Sequence, residues 1–330
     1  MMSWEIIGIN LLSPIVLSFF LGLFAVLIKS DLKLPPGLYA SLSMYLLLAL
    51  GLKGGAALSE TTFHLFWLPG LVVLGLGIIL PLIVYNVAHF IGKMSNIDSS
   101  ALAAHYGSVS VVTFIACQVF VESLGHPAEG FMTALVVILE IPGIVVALLI
   151  AELFKRKQRS ASSQNNASFF GCFKELIVSK SILLLLGGLA IGYISGKPGL
   201  QKIAPVFVDP FQGALVLFML DMGLVAGERI EDLKGMKGFL LTFSFLAPVL
   251  NGSLGVLCGY WAGLSLGGAT VLGAMAGSAS YIAAPAAVRI ALPEANPAYY
   301  LTSAIALTFP FNLAIGIPLY YEIALWLFGK

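Results

Sequence analysis

Apolar runs of roughly 20 residues, parted by short polar clusters, set the pattern of the chain, and a run of that length lets a helix cross a bilayer. Ten such runs can be marked out. The first spans Leu11 to Ile28 and stops at the polar Lys29–Lys33 turn ahead of Pro35-Pro36. The next four run from Leu38 to Leu58, Leu65 to Ile91, Asp98 to Val121 and Glu129 to Phe154. The pattern then changes. Lys155 to Ser168 is rich in Ser, Asn, Lys and Arg and reads as a flexible linker, and Phe169 to Lys180 reads as an amphipathic lead-in at the membrane surface. Five more runs follow: Ser181 to Ile194, the shortest, then Phe211 to Ala226, Phe239 to Leu264, Leu266 to Leu292 and Tyr299 to Leu327.

Composition agrees with that pattern and narrows it. Of 330 residues, 59% are hydrophobic and only 10% charged, against about a quarter charged in soluble proteins. The expected fold class is an all-α polytopic membrane protein. Met1 to Asn10 contains no Lys or Arg, so the first run reads as a retained helix rather than a cleaved signal. A net charge of +1 gives no support to a nucleic-acid partner. Cys117, Cys172 and Cys258 form no CxxC and suggest neither a metal site nor a disulfide framework.

Charge also orients the chain, because Lys and Arg favour cytoplasmic loops. Placing the linker inside puts thirteen of the 17 Lys and Arg inside and leaves Lys53, Lys197, Lys202 and Lys330 outside. Both termini are then outside, with the protein in a plasma membrane. The linker divides the chain into 1–154, 155–180 and 181–330, with five runs on either side. Five is odd, so the second half must cross in the opposite sense, as an inverted repeat. Three landmarks recur in order: Gly51-Leu52-Lys53-Gly54-Gly55 with Gly223-Leu224-Val225-Ala226-Gly227, Gly107-Ser108-Val109-Ser110 with Gly277-Ser278-Ala279-Ser280, and Ile141-Pro142 with Phe309-Pro310. Their offsets are 172, 170 and 168 residues.

The middle pair carries the candidate chemistry. Each Gly-Ser-x-Ser interrupts the fourth apolar run of its half. Backbone leaves a helix at membrane depth only where protein or a water-filled cavity satisfies it, and paired breaks in two halves point to a transporter's binding site. Half-helix N-termini suit an anion, and unwound carbonyls suit Na⁺. Gly107, Ser108, Ser110, Thr113, Gly277, Ser278 and Ser280 are the candidate anion-binding residues. Asp98, Ser108, Ser278 and Asn312 are the candidate Na⁺ ligands, although Asp98 also stands where a plain helix cap would. No Lys or Arg lies near either break, which predicts a small anion held by dipoles and hydroxyls beside a cation. Small residues also serve close helix packing. The symmetric pairing and Pro285, which interrupts the ninth run, favour the site. Glu140 and Asp221 lie inside apolar runs, where a carboxylate is costly and reads as a functional position, with a structural ion pair or a protonated acid bonded to a backbone carbonyl as the alternative. His105 and Tyr106 flank the first break. Asn251 and Arg289 read as structural.

These stretches resemble the sodium-dependent bicarbonate transporter family. The resemblance rests on Tyr106 to Phe114, Leu217 to Leu224, Gly277 to Pro285 and Leu292 to Pro297. It implies a trimer of ten-helix protomers with a gate domain from spans 1, 2, 6 and 7 and a core domain from spans 3, 4, 5, 8, 9 and 10. It implies bicarbonate and Na⁺ at the crossing of spans 4 and 9, an elevator-like motion, a bacterial inner-membrane location, and a docking place for a PII-like regulator on the cytoplasmic face. The family serines correspond to Ser108, Ser110, Ser278 and Ser280, and its acid at the start of span 4 to Asp98. The chain departs from the cyanobacterial members at Tyr281, where they carry an acid, at Val111-Val112, where they carry Gly-Ser, and in its shorter linker. Another small anion, such as a short carboxylate, therefore stays open. An anion channel is a second class, but nothing resembles a ring-type filter. An enzyme is disfavoured, because there is no HExxH motif and no base partnered to a serine.

Overall fold

The structure is a computed structural model that describes residues 4–158, 180–236 and 238–329. Every regular element among them is helical. The first half contains α1 (Trp4–Leu11), α2 (Pro14–Leu27), α3 (Pro36–Ser59), α4 (Phe63–Asn86, prolonged by a π-helical turn Val87–Ile91), α5 (Asn96–Tyr106), α6 (Val111–Ser123) and α7 (Met132–Gln158). The second contains α8 (Lys180–Phe207), α9 (Phe211–Glu228), a 3₁₀ turn Arg229–Gly235, α10 (Gly238–Trp261), α11 (Leu266–Ala276), α12 (Ala283–Ala291) and α13 (Ala298–Leu327). Seven helical segments are long and apolar enough to cross a membrane, with α2 and α11 shorter apolar helices. Phe63, Leu65, Leu71 and Ile79 on α4 and Leu246 and Leu250 on α10 stand exposed, an outer surface suited to lipid rather than water. The protein is an integral membrane protein.

Local chemistry sets the ends. Ser13 caps α2 by accepting from the Val16 amide, with Pro14 in the first turn, where a missing N–H costs nothing. Ser95 caps α5 through the Asp98 amide, and Ser265 caps α11 through the Gly268 amide. Some sequence boundaries need correction. The fifth segment starts at Met132, not Glu129, and runs past Lys155 to Gln158. The lead-in Phe169 to Lys180 falls, except for Lys180, outside the described residues. The sixth segment is not the shortest. It extends over 28 residues to Phe207, with non-helical Gly196 (φ 59°, ψ −170°) joining two helices. Glycine alone takes that conformation without strain, and Pro198 opens the second helix. The short α1 was not anticipated. It is tied down by the buried Asn10 side-chain amide, which donates to the Leu313 carbonyl.

Two sets of helices pack among themselves. In one, α3 lies along α8 and α2 along α9, with α9 also against α3. Glycines make these crossings close. A Cβ at Gly55 would meet the Leu189 carbonyl oxygen at 2.1 Å, one at Gly192 the Leu52 oxygen at 2.3 Å, and one at Gly223 the Phe19 oxygen at 2.0 Å. Gly51, Gly55 and Gly223 thus serve backbone contact, while Gly54 and Gly227 face the Thr133 and Val26 side chains. In the other set, α4, α5 and α7 pack together, α10 packs on α11 and α13, and α6 meets α11. Asp221 on α9 is half-buried.

Candidate functional site

The two interrupted segments meet at their breaks. Helix α5 ends at Gly107 and α6 begins after Ser110, whose Oγ accepts from the Thr113 amide (3.2 Å) and hydroxyl (3.0 Å). Helix α11 ends at Gly277 and α12 starts at Ala283, with the Ser280 Oγ accepting from the Ala284 amide at 3.3 Å. The Ser110 amide donates to the Ser278 Oγ at 2.8 Å, and the Ser280 amide donates to the His105 carbonyl at 2.7 Å. Each break therefore supplies an acceptor to the other. Ser278 is fully engaged, because its hydroxyl also donates to the Met275 carbonyl at 2.8 Å.

Neighbouring helices hold the breaks in place. A Cβ on Gly107 would meet Pro81 of α4 at 2.6 Å, and one on Gly277 would meet the Tyr320 hydroxyl at 2.3 Å and the Pro248 carbonyl of α10 at 2.8 Å. Pro81 and Pro248 are 167 residues apart, a further pair at the repeat offset that the sequence reading missed. Gly143 of α7 touches the first break so closely that a Cβ would lie 2.0 Å from the Gly107 carbonyl oxygen. Behind the second break Asn312 donates through Nδ2 to the Gly277 carbonyl at 2.9 Å, while its Oδ1 accepts from the Tyr320 hydroxyl at 2.8 Å. Asn312 is completely buried and both its polar atoms are used, so in this arrangement it braces the break.

Several side chains at the crossing are left without such partners, the buried His105 Nε2 among them. The Ser108 Oγ is buried and makes no hydrogen bond. The Tyr281 hydroxyl is buried beside Ser110 without a hydrogen bond of proper geometry. Glu140 of α7 is 2% exposed, and no hydrogen bond or ion pair holds it among the described residues. A cavity of about 10 Å³ is lined by Ser110, Glu140, Ser280 and Tyr281, with Leu47 of α3 opposite. That volume admits about one water, so a larger occupant requires the walls to part. An unpaired buried hydroxyl costs roughly 1–3 kcal/mol, which a bound polar ligand would recover. The donors here are all oxygen, a set that suits a hard cation, while the N-terminal turns of α6 and α12 suit an anion.

Asp98 stands at the other end of α5, ten residues from Ser108 and so about 15 Å along the helix. Its Oδ2 accepts from the Ser95 hydroxyl at 2.7 Å and its Oδ1 from the Asn296 amide at 2.9 Å. It braces the Ser95 cap of α5 and fastens that start to the loop after α12. At the opposite end of the site Glu129 does the mirrored job, its Oε1 accepting from the Ser265 amide at the start of α11 at 2.6 Å. Glu129→Ala should lower stability by about 1.5–3 kcal/mol, the worth of a charge-assisted hydrogen bond. Thermal unfolding of the purified variant would check this, and an unchanged midpoint would deny the clasp. Asp221 does not line the cavity. His105 is buried, its ring donating to the Ala101 carbonyl at 2.7 Å and lying against Tyr300.

Residues 14–325 match the Na⁺-dependent bicarbonate transporter superfamily. The chain belongs to that family and is a transporter rather than an enzyme. No curated protein matches it.

Proposed function

We propose that this member of the Na⁺-dependent bicarbonate transporter superfamily carries bicarbonate together with Na⁺ across the membrane, by alternating access at the crossing of its two broken segments. The observation that carries the reading is the small cavity lined by Glu140 and Tyr281 beside the N-terminal turns of α6 and α12, with the unpartnered Ser108 hydroxyl in the adjoining break. The anion takes the Ser108 hydroxyl and the N-terminal turns of α6 and α12. Na⁺ takes the Glu140 carboxylate with the Ser110 and Ser280 hydroxyls, and its charge offsets that of the anion next to it.

Ten crossings in two inverted halves fit the same reading. The paired caps Ser95 and Ser265, prolines Pro81 and Pro248, and breaks at Gly107 and Gly277 support it. The packing of α2, α3, α8 and α9 chiefly on one another supports a gate against which the remaining helices slide. The narrow cavity corresponds to a closed stage of that cycle.

Purified protein in liposomes should take up labelled bicarbonate under an inward Na⁺ gradient. Uptake of acetate or formate but not bicarbonate would move the substrate to a short carboxylate, and flux indifferent to the cation gradient would overturn symport. Ser108→Ala removes a hydroxyl that no internal bond uses. It should therefore leave the melting temperature almost unchanged and weaken anion half-saturation by about tenfold, the worth of one hydrogen bond to a charged group. Unaltered half-saturation would mean that Ser108 does not touch the anion.

A further inference from the structure

Outward along the same helices lies a second, larger space of about 480 Å³. Its walls come from α3, α6, the turn before α7, and the connection from α8 to α9. On α3, Leu47 lines the small cavity and Leu50 and Lys53 line the large one. On α6, Val111 lines the small cavity and Ile115 and Gln118 the large one. Steps of three and four residues are about 5 Å along a helix, so the two spaces lie about one helical turn apart between the same pair of helices. Leu50 and Ile115, both buried, line the large space one turn from Leu47 and Val111 of the small one.

One basic side chain, Lys53, lines the large space. Its ammonium stands 4.8 Å from the centre of the Phe211 ring, and it makes no ion pair among the described residues. Glu122 and Asp209 also line the space but are exposed, where water screens them. Lys53 is half-buried, and a charge in a low-dielectric recess acts further than one in open solvent. A positive charge one turn outward of a site that itself contains only hydroxyls and an acid is placed to gather anions.

The geometry points to this space as the outer vestibule of the anion pathway, with Lys53 as its collecting charge and the buried Leu50 and Ile115 side chains between the two spaces as the barrier that parts to admit the anion. The inference rests on the transport reading above and adds a residue that sets anion affinity without touching the bound anion. Lys53→Gln should raise the half-saturating anion concentration about 3- to 10-fold at low ionic strength, leave the maximal rate near that of the parent, and lose most of that difference in high salt. Lys53→Arg should restore the parent value. A fall in maximal rate with half-saturation unchanged would make Lys53 a packing residue over Phe211. A shift confined to Na⁺ half-saturation would make the vestibule a cation path, and either result overturns the proposal.

A second measurement is independent of what the protein carries. Gln118→Cys places a thiol in the vestibule, to be modified above the parent background by sulfonate-bearing and trimethylammonium-bearing methanethiosulfonates. The anionic reagent should react faster relative to the cationic one, and adding Lys53→Gln should erase that preference. If bicarbonate uptake fails while the preference holds, the substrate assignment falls and the vestibule stands. If the preference is absent, the vestibule proposal falls.

Discussion

Gly143→Ala should abolish most transport. The added methyl would sit 2.0 Å from the Gly107 carbonyl oxygen, well inside van der Waals contact, and that oxygen belongs to backbone at the break. Either α7 withdraws or the break moves. Overpacking of this kind costs about 1–3 kcal/mol. The functional cost is larger, because Glu140 stands three residues earlier on α7 and moves with it. A displacement near 1 Å at a site that depends on alignment loses on the order of 100-fold in rate. Gly75→Ala on α4 is the matched control, since nothing lies within 4 Å of its added Cβ. Uptake by the two variants in the same liposomes, with their melting temperatures, tests the claim. Equal activity would show that the approach of α7 to the break is incidental.

Glu140→Gln should uncouple the anion from Na⁺. The substitution keeps shape and removes the one carboxylate that lines the cavity. Losing the charge removes roughly 1.5–3 kcal/mol of interaction with a bound cation, a weakening of about 10- to 150-fold in Na⁺ half-saturation. Binding stabilises the folded state by mass action, so Na⁺ should raise the melting temperature of the parent and not of the variant over the same concentration range. A variant that keeps the parent's Na⁺ response would move the cation elsewhere, with Asp98 the next residue to test.

Much of the fold could be read from sequence because the bilayer imposes a single rule: apolar runs of fixed length, all hydrogen-bonded internally. That rule located the segment carrying Glu140 and both interruptions. It could not anticipate that α8 resumes after Gly196, because a left-handed glycine inside an apolar run resembles any other glycine in one-dimensional pattern. Nor could it reveal α1, whose stability depends on a distant contact between Asn10 and Leu313. At the site the residue types were legible and their employment was not. Ser108 and Ser278 look equivalent in sequence, yet Ser278 spends its hydroxyl on Met275 and Ser110 while Ser108 has none to spend it on. Asp98 and Glu129 became a matched pair only once their backbone partners Asn296 and Ser265 were seen. Gly143 carried no motif, since close approach belongs to three dimensions.

The hydrogen bonds between the two breaks have a consequence for tightness. The Ser110 and Ser280 amides, the donors that a small anion would seek at these turns, are occupied by the Ser278 Oγ and the His105 carbonyl. The two interrupted segments thus ligate each other. Under the proposed mechanism an arriving anion displaces those internal acceptors, and a departing one is replaced by them. The crossing is thereby closed by its own hydrogen bonds, which resists leakage of ions where the backbone of two segments is interrupted.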